Sequence, residues 1–245
     1  MKTAEKVALV TGGSRGIGRA VAPRLARDGF AVVINYAGNA AKAAQVVDAI
    51  AVAGGHAIAV QGDVSNDEHV AKVFEIARTT FGRIDVVVNS AGIMQNAPIT
   101  EFALADFDKI IQTNLRGAFN VLRHAAKNLT QGDRIITLST SVIAKAFPTY
   151  GPYVASKAGV EALVHVLANE LRGRGVTVNA IAPGPVGTEL FLNGKSDEQI
   201  AQISKLSPLE RLGAPEDIAN AVSFLAGPDG AWVNSQVLRV NGGMA

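Results

Sequence analysis

A doubly wound α/β fold, a parallel sheet of about seven strands with helices on both faces, is what this sequence predicts, from three observations. Seven short runs rich in β-branched residues are hydrophobic almost without interruption, at 6–10, 30–36, 56–61, 84–89, 134–139, 175–181 and 236–240. A strand with one wet face would alternate, whereas continuous runs belong to parallel strands covered on both sides. Segments of helical length separate them, so strand and helix alternate and right-handed crossovers follow. The 245 residues show no fixed-period repeat, low-complexity tract or linker-like stretch, which predicts one domain spanning 1–245.

The first strand (6–10) runs into TGGSRGIG at 11–18 and then into a helix. Gly12, Gly16 and Gly18 stand where the chain must turn sharply and let a phosphate approach the backbone, and the helix start offers free N–H groups to it. No Gly-Lys-Ser/Thr follows, which excludes the triphosphate P-loop. Gly12-Gly13-Ser14-Arg15-Gly16 also fits the G-x-S-x-G hydrolase elbow, but that elbow needs a late His, and the last of the four His, His165, falls mid-helix. The second strand (30–36) ends Ile34-Asn35-Tyr36-Ala37 with no acid. A carboxylate there would bind the adenosine ribose of NAD and repel a 2′-phosphate, so with Arg15 in the loop NADP(H) is preferred over NAD(H).

Helices over 40–53 and 66–81 bracket the third strand, and the fourth ends Asn89-Ser90-Ala91-Gly92. A helix over 106–128 follows, on whose apolar stripe lies Asn114. A buried amide is costly unless hydrogen-bonded. It reads either as a satisfied structural group or as one holding a water that links Lys157 to solvent. The fifth strand ends Ser139-Thr140-Ser141. In the helix over 152–172, Tyr153 and Lys157 are four apart and share a face. A neighbouring ammonium favours phenolate and lowers a tyrosine pKa, so the pair can exchange a proton with an alcohol oxygen. The same helix is apolar on more than one side (Val154, Val160, Leu163, Val164, Val166, Leu167), which predicts a homo-oligomer, dimer or tetramer. The sixth strand (175–181) leads to an insertion at about 184–214, rich in Pro and Gly, with a helical pattern around 197–206. Leu190, Phe191 and Ile203 in it need something to cover, so it reads as a lid over substrate before the seventh strand.

Composition excludes much else. Hydrophobic residues make up 48% and charged residues 18%, unlike disordered chains. The absence of Cys excludes disulfide scaffolds, thiolate zinc sites and cysteine nucleophiles, and no metal site is expected. A net charge of +2 without a Lys/Arg run gives no nucleic-acid footprint. No apolar run approaches the roughly 20 residues of a membrane span, and the N-terminus lacks a secretory signal pattern, so a cytoplasmic location is expected.

These motifs resemble the short-chain dehydrogenase/reductase family over essentially the whole chain. Its marks are TGGSRGIG, Asp63-Val64, Asn89-Ser90-Ala91-Gly92, Asn114, Tyr153-Val154-Ala155-Ser156-Lys157, Pro183-Gly184-Pro185-Val186 with Thr188, PLERLGAPEDIA at 208–219 and VNGG at 240–243. The resemblance implies a Rossmann-type fold. It implies a cofactor site of Gly12, Ser14, Arg15, Gly16, Ile17, Gly18, Asn35, Tyr36, Asp63, Val64, Asn89, Ala91, Gly92, Tyr153, Lys157, Pro183, Gly184, Val186 and Thr188. Tyr153 would be general acid or base, Lys157 would lower its pKa and hold the nicotinamide ribose, and Asn114 would support a water relay. The substrate-binding hydroxyl, usually Ser in the family, falls on Thr140, with Ser141 next and Ser139 after it. Thr140 also shares strand parity with Leu138. Ser235 stands where the family more usually has Gly. The substrate walls (Met94, Val142, Phe147, Tyr150, Val186, with Gln95 and Asn96) are mostly apolar, which suits a ketone, alcohol or 3-oxoacyl thioester. Residues 33–37 and the strand-end STS look like hydroxynaphthalene reductases, and the C-terminal stretches equally like 3-oxoacyl-carrier-protein reductases. The alternative function is a catalytically idle dinucleotide-binding regulator of the same fold.

Overall fold

In β1 (Lys6–Thr11), Val7 and Leu9 point to one side of the sheet, Ala8 and Val10 to the other, and all four are fully buried. β2 (Phe30–Tyr36) repeats the pattern, with Ala31 and Val33 on the first side and Val32 and Ile34 on the second. Burial on both faces is the physical reason for the unbroken hydrophobic runs. Each such Val, Leu or Ile side chain contributes about 1.5–3 kcal/mol relative to exposure. With β3 (Ala57–Gln61), β4 (Val86–Asn89), β5 (Arg134–Leu138), β6 (Thr177–Pro183) and β7 (Val237–Val240) they form one sheet in the order β3-β2-β1-β4-β5-β6-β7. Every neighbouring pair is parallel. The computed structural model describes residues 6–245.

Helices cover both faces. α1 (Gly16–Arg27) and α2 (Ala40–Val52) pack Val21, Leu25, Val46 and Ile50 on the second side, while α3 (Asp67–Phe81) packs Val70, Val73 and Phe74 on the first. Local chemistry sets their ends: the Asn39 side chain accepts from Lys42 N, the Asn66 side chain accepts from Glu68 N and His69 N, and Gly82 stops α3 at φ 83°.

The helix expected over 106–128 is not one α-helix. It comprises α4 (Leu104–Ile110), a π-helical turn (Ile111–Arg116) and α5 (Gly117–Asn128). Periodicity sees only the apolar stripe, not the extra residue in the turn. After β5 come the short α6 (Val142–Lys145) and the long α7 (Gly151–Glu170). The stretch after β6 holds α8 (Glu189–Leu192) and α9 (Asp197–Ser204), the latter started by a Ser196/Gln199 capping box. α10 (Pro215–Ala226), absent from the sequence expectation, places Ile218, Val222 and Leu225 in the core beside α1.

Candidate active site

The strand order reverses between β1 and β4, and ligands of open α/β sheets bind in the crevice beyond the strand ends at such a point. A cleft of about 700 Å³ lies there. Gly12, Ser14, Arg15, Gly16 and Ile17 form one wall; Tyr36, Asp63 and Val64 border one end; Thr140, Tyr153 and Lys157 border another.

Gly12 adopts φ 63°, and a Cβ there would stand 2.8 Å from Ala91 Cα, so the loop can lie on the end of β4 only with glycine. Gly18 is buried behind the loop; a Cβ there would stand 2.4 Å from the Gly12 carbonyl oxygen, so it serves packing. Arg15 precedes α1 without a side-chain cap, and no acid occupies the first turn. The first N–H groups of α1 are therefore available to an anion. With no acid on the Tyr36–Asn39 rim and an open face at Gly16, whose Cβ would meet only the Thr188 side chain, the residues present fit a dinucleotide phosphate.

Of the expected cofactor residues, Asn35 and Arg15 line the cleft and Asn89 does not. Asn35 is 2% exposed, and its amide donates to the carbonyls of Val60 (3.3 Å) and Gly62 (2.8 Å), tying β2 to the end of β3. Asn89 turns its side chain inward, accepting from Thr11 Oγ1 (2.9 Å) and donating to Thr137 Oγ1 (3.2 Å). Thr11 Oγ1 in turn accepts from Ser90 N and Ala91 N, so Asn89 supports the cleft floor from below. Residue type alone marked both asparagines, but which way each faces was not legible from it. Arg15 donates to the Gly92 carbonyl (3.4 Å). Lys42, three residues past that rim, pairs its ammonium with Glu189 of α8 at 2.7 Å, and Arg15 and Arg19 also act on that carboxylate. Ala91, Gly92, Pro183, Gly184, Val186 and Thr188 border the cleft as expected, and the Thr188 side chain caps α8.

At the inner end the three candidate hydroxyls separate. Thr140 Oγ1 accepts from Val142 N (3.3 Å) and lies beside the Tyr153 phenol. Ser141 Oγ donates to the Ala182 carbonyl (2.8 Å) and accepts from Asn241 Nδ2 (2.9 Å), so its expected substrate role is geometrically closed. Ser139 Oγ donates to Glu161 Oε1. Burial pushes the Tyr153 phenol up to about 12; the Thr140 hydroxyl opposes that rise and the neighbouring Tyr150 adds to it. Lys157, 5% exposed, is pushed down to about 8 by burial, and its Nζ donates to the Leu138 carbonyl at 2.7 Å. The expected lowering of the phenol by this ammonium does not appear: burial sets the direction of the shift, and Lys157 is not among its causes. Tyr153 can hold a proton at neutral pH and release it to an oxygen bound beside Thr140.

Asn114 sits in the π turn, 1% exposed. Its Oδ1 accepts from Ile93 N (2.9 Å), and its Nδ2 donates to the Ile93 carbonyl (2.9 Å) and to Ser156 Oγ (3.1 Å). It thus pins the loop after β4 to α7. Asn114 Oδ1 and Lys157 Nζ flank Gly92, within 3.4 and 3.5 Å of where a Cβ there would lie. Sequence reasoning missed Ser156 as a linker, since its only mark is its place between Tyr153 and Lys157. It also missed Lys42 and Glu189, which are 147 residues apart.

Fold and cleft together define an oxidoreductase that works with a nicotinamide dinucleotide. A family model described as Enoyl-(Acyl carrier protein) reductase matches residues 12–245. A short-chain type dehydrogenase/reductase of Picea abies is 44% identical, covering 97% of this chain and 92% of that protein. An NADPH-dependent aldehyde reductase-like protein of Arabidopsis thaliana, chloroplastic, is 43% identical, covering 98% and 94%. A solved dehydrogenase/reductase from Sinorhizobium meliloti 1021 superposes with a TM-score of 0.93 at 38% identity, covering 99% and 96%. The chain belongs to the short-chain dehydrogenase/reductases. Both finer resemblances stand: a probable tetrahydroxynaphthalene reductase of Zymoseptoria tritici is 39% identical and a 3-oxoacyl-[acyl-carrier-protein] reductase of Staphylococcus epidermidis 40%, covering 97% and 98% of this chain and 93% and 98% of those proteins.

Proposed function

We propose that this protein reduces the carbonyl of a mostly apolar aldehyde, ketone or 3-oxoacyl substrate, with NADPH preferred over NADH. The observation that carries the reading is the Thr140 hydroxyl beside the Tyr153 phenol at the inner end of the cleft, with buried Lys157 next to them. NADPH supplies the hydride when bound, its phosphates held by the start of α1 and its ribose by Tyr153 and Lys157. Thr140 holds the substrate oxygen and Tyr153 gives it a proton. Asn114 and Lys157, on either side of Gly92, support the water path that returns that proton. The neutral rim at Tyr36–Asn39 would leave room for a 2′-phosphate, and Asp63, exposed at the same end, would hold the adenine. The relative from Arabidopsis named as NADPH-dependent supports this cofactor choice.

Residues 184–214 act as the substrate lid, since Leu190, Phe191, Ile203 and Leu206 wall the cleft. A homo-oligomer, dimer or tetramer, would cover Phe107, Phe119 and Val166, exposed at 40%, 50% and 55% on α4, α5 and α7. A cytoplasmic location fits the sequence, although the Arabidopsis relative is named chloroplastic. Among the described residues no helix is long and apolar enough to cross a membrane. The test is a panel of aldehydes, ketones and 3-oxoacyl thioesters followed by loss of NADPH absorbance. Tyr153→Phe abolishes turnover and weakens NADPH binding by no more than about 10-fold, the one ribose bond it loses; turnover at the wild-type rate would overturn the mechanism. An idle regulator would turn over nothing in the panel.

A further inference from the structure

Three residues of α7, spaced four apart, reach three consecutive residues at the end of β5. Tyr153 meets the Thr140 hydroxyl, Lys157 Nζ donates to the Leu138 carbonyl, and Glu161 Oε1 accepts from Ser139 Oγ. Residues four apart on a helix drift by only about 40°, so the three side chains form one stripe along α7. The first two belong to the reductive site. The third does not line the cleft, and nothing in the chemistry described above uses it.

The end of β5 needs such a hold. Pairing with β4 stops at Asn89↔Thr137, because the cleft opens beyond it. On the other side the backbone still leans on β6, through Ser139 N to the Ile181 carbonyl (2.7 Å) and Ser141 N to the Pro183 carbonyl (2.8 Å). Residues 138–140 are therefore supported from one edge only, while they must present a carbonyl to Lys157 and a hydroxyl to Tyr153. Ser139 lies between those two groups and is 4% exposed. Its bond to Glu161 is 2.5 Å long, at the short end for a hydroxyl on a carboxylate, as a charge-assisted bond is.

We infer that Glu161 is a positioning residue for the reduction: by holding Ser139 it sets the Leu138 carbonyl under Lys157 and the Thr140 hydroxyl against Tyr153. Glu161 touches neither substrate nor cofactor in this role. The inference rests on the reductase reading of the same site.

Four variants test it: Glu161→Leu, Glu161→Gln, Ser139→Ala and the Glu161→Leu/Ser139→Ala double. Glu161→Leu and Ser139→Ala each lower kcat about 10- to 100-fold, the scale of a misplaced catalytic group, while KM and the NADPH dissociation constant stay within about 3-fold. The double variant is no worse than either single one, and Glu161→Gln, which keeps an acceptor, recovers most of the rate. A wild-type kcat in Ser139→Ala overturns the inference, as do losses that multiply in the double variant. Should Glu161→Leu fail to fold, Ser139→Ala and Glu161→Gln decide alone.

A second readout needs neither cofactor nor turnover. The chain has 3 Tyr, so carbon-13 labelling of tyrosine with Tyr153→Phe as the assignment control isolates the Tyr153 ring signal. That signal shifts in Ser139→Ala and stays in place in Glu161→Gln; an unmoved signal in Ser139→Ala overturns the positioning role. If wild-type protein turns over no carbonyl, the reductase reading fails, and the ring signal still decides whether Glu161 governs the Thr140–Tyr153 contact.

Discussion

Replacing Asn35 by Asp separates a fold role from a cofactor role at the end of β2. Asn35 is 2% exposed and its amide donates to two carbonyl oxygens, at 3.3 and 2.8 Å. An aspartate there loses both donors and faces two acceptors. The ionised form would be a buried, unpaired charge, so the carboxyl stays protonated in the folded protein and can return only one of the two bonds. Losing the other bond, stranding its acceptor and keeping the carboxyl protonated at neutral pH together cost about 3 kcal/mol. The new carboxyl has its folded pKa raised above its unfolded value, so the folded state binds the extra proton between those two values. Stability therefore falls as pH rises through that window, and the deficit is smallest at acid pH. Urea unfolding at pH 5 and pH 7 measures both terms. A loss below about 1 kcal/mol at pH 7 would refute the reasoning, because the amide would then not be the tie between β2 and β3. Tyr36→Asp supplies the contrast: at the half-buried rim it leaves stability near wild type and moves preference from NADPH toward NADH.

Other outcomes follow from the same geometry. Thr140→Val lowers kcat/KM by about 100-fold, whereas Ser141→Ala stays within about 3-fold and costs about 1 kcal/mol of stability through the Ala182 and Asn241 bonds; steady-state kinetics and urea melts check both. Because burial brings Lys157 down to about 8, its ammonium is present below that pH and lost above it, so kcat/KM for reduction falls as pH rises through 8. The unfolded chain keeps that proton up to the ordinary lysine range, so this residue makes stability rise with pH above 8. Tyr153, raised to about 12, opposes it above 10, where the folded state alone keeps the phenolic proton. Ser235→Gly stabilises the protein by about 0.5–1 kcal/mol in thermal unfolding, since Ser235 holds φ 59° and its bond to His165 is exposed.

Ser235 also shows what a sequence makes legible. It stands out as a departure from the family's glycine, and the structure supplies the reason in a left-handed backbone. The bounds of β2, 30–36, coincide with the hydrophobic run, because burial on both faces writes itself into every residue. Thr140 could be chosen over its neighbours by strand parity with Leu138, and the contact with Tyr153 follows that choice. Parity was equally available for Asn89, which pairs in register with Thr11 and turns inward with it, but its polarity drew attention to the cleft instead. The direction of Arg15 depends on the Gly92 carbonyl 77 residues away, and the Lys42–Glu189 pair on a helix that folds over from beyond β6. No local pattern encodes either. α10 lay hidden behind Pro and Gly punctuation, although Pro215 at its first turn is itself a helix-start signal.

The π turn between α4 and α5 makes the site depend on a count of residues as well as on their identity. A π turn is an α-helix carrying one residue more than its hydrogen-bond ladder needs. Deleting one residue from 111–116 lets the ladder close as a continuous α-helix; because the turn already absorbs that residue, α4 and α5 keep their mutual orientation while the residues between them rotate by a fraction of a turn. That rotation swings Asn114 off Ile93 and Ser156 while α5 stays on the core, even where the deleted residue touches neither. Substitutions along the wet side of this segment are tolerable, and a deletion among the same positions is not. In a deletion scan over 104–128, deletions in α4 or α5 would cost the fold, whereas deletions in the turn would leave a folded protein without activity.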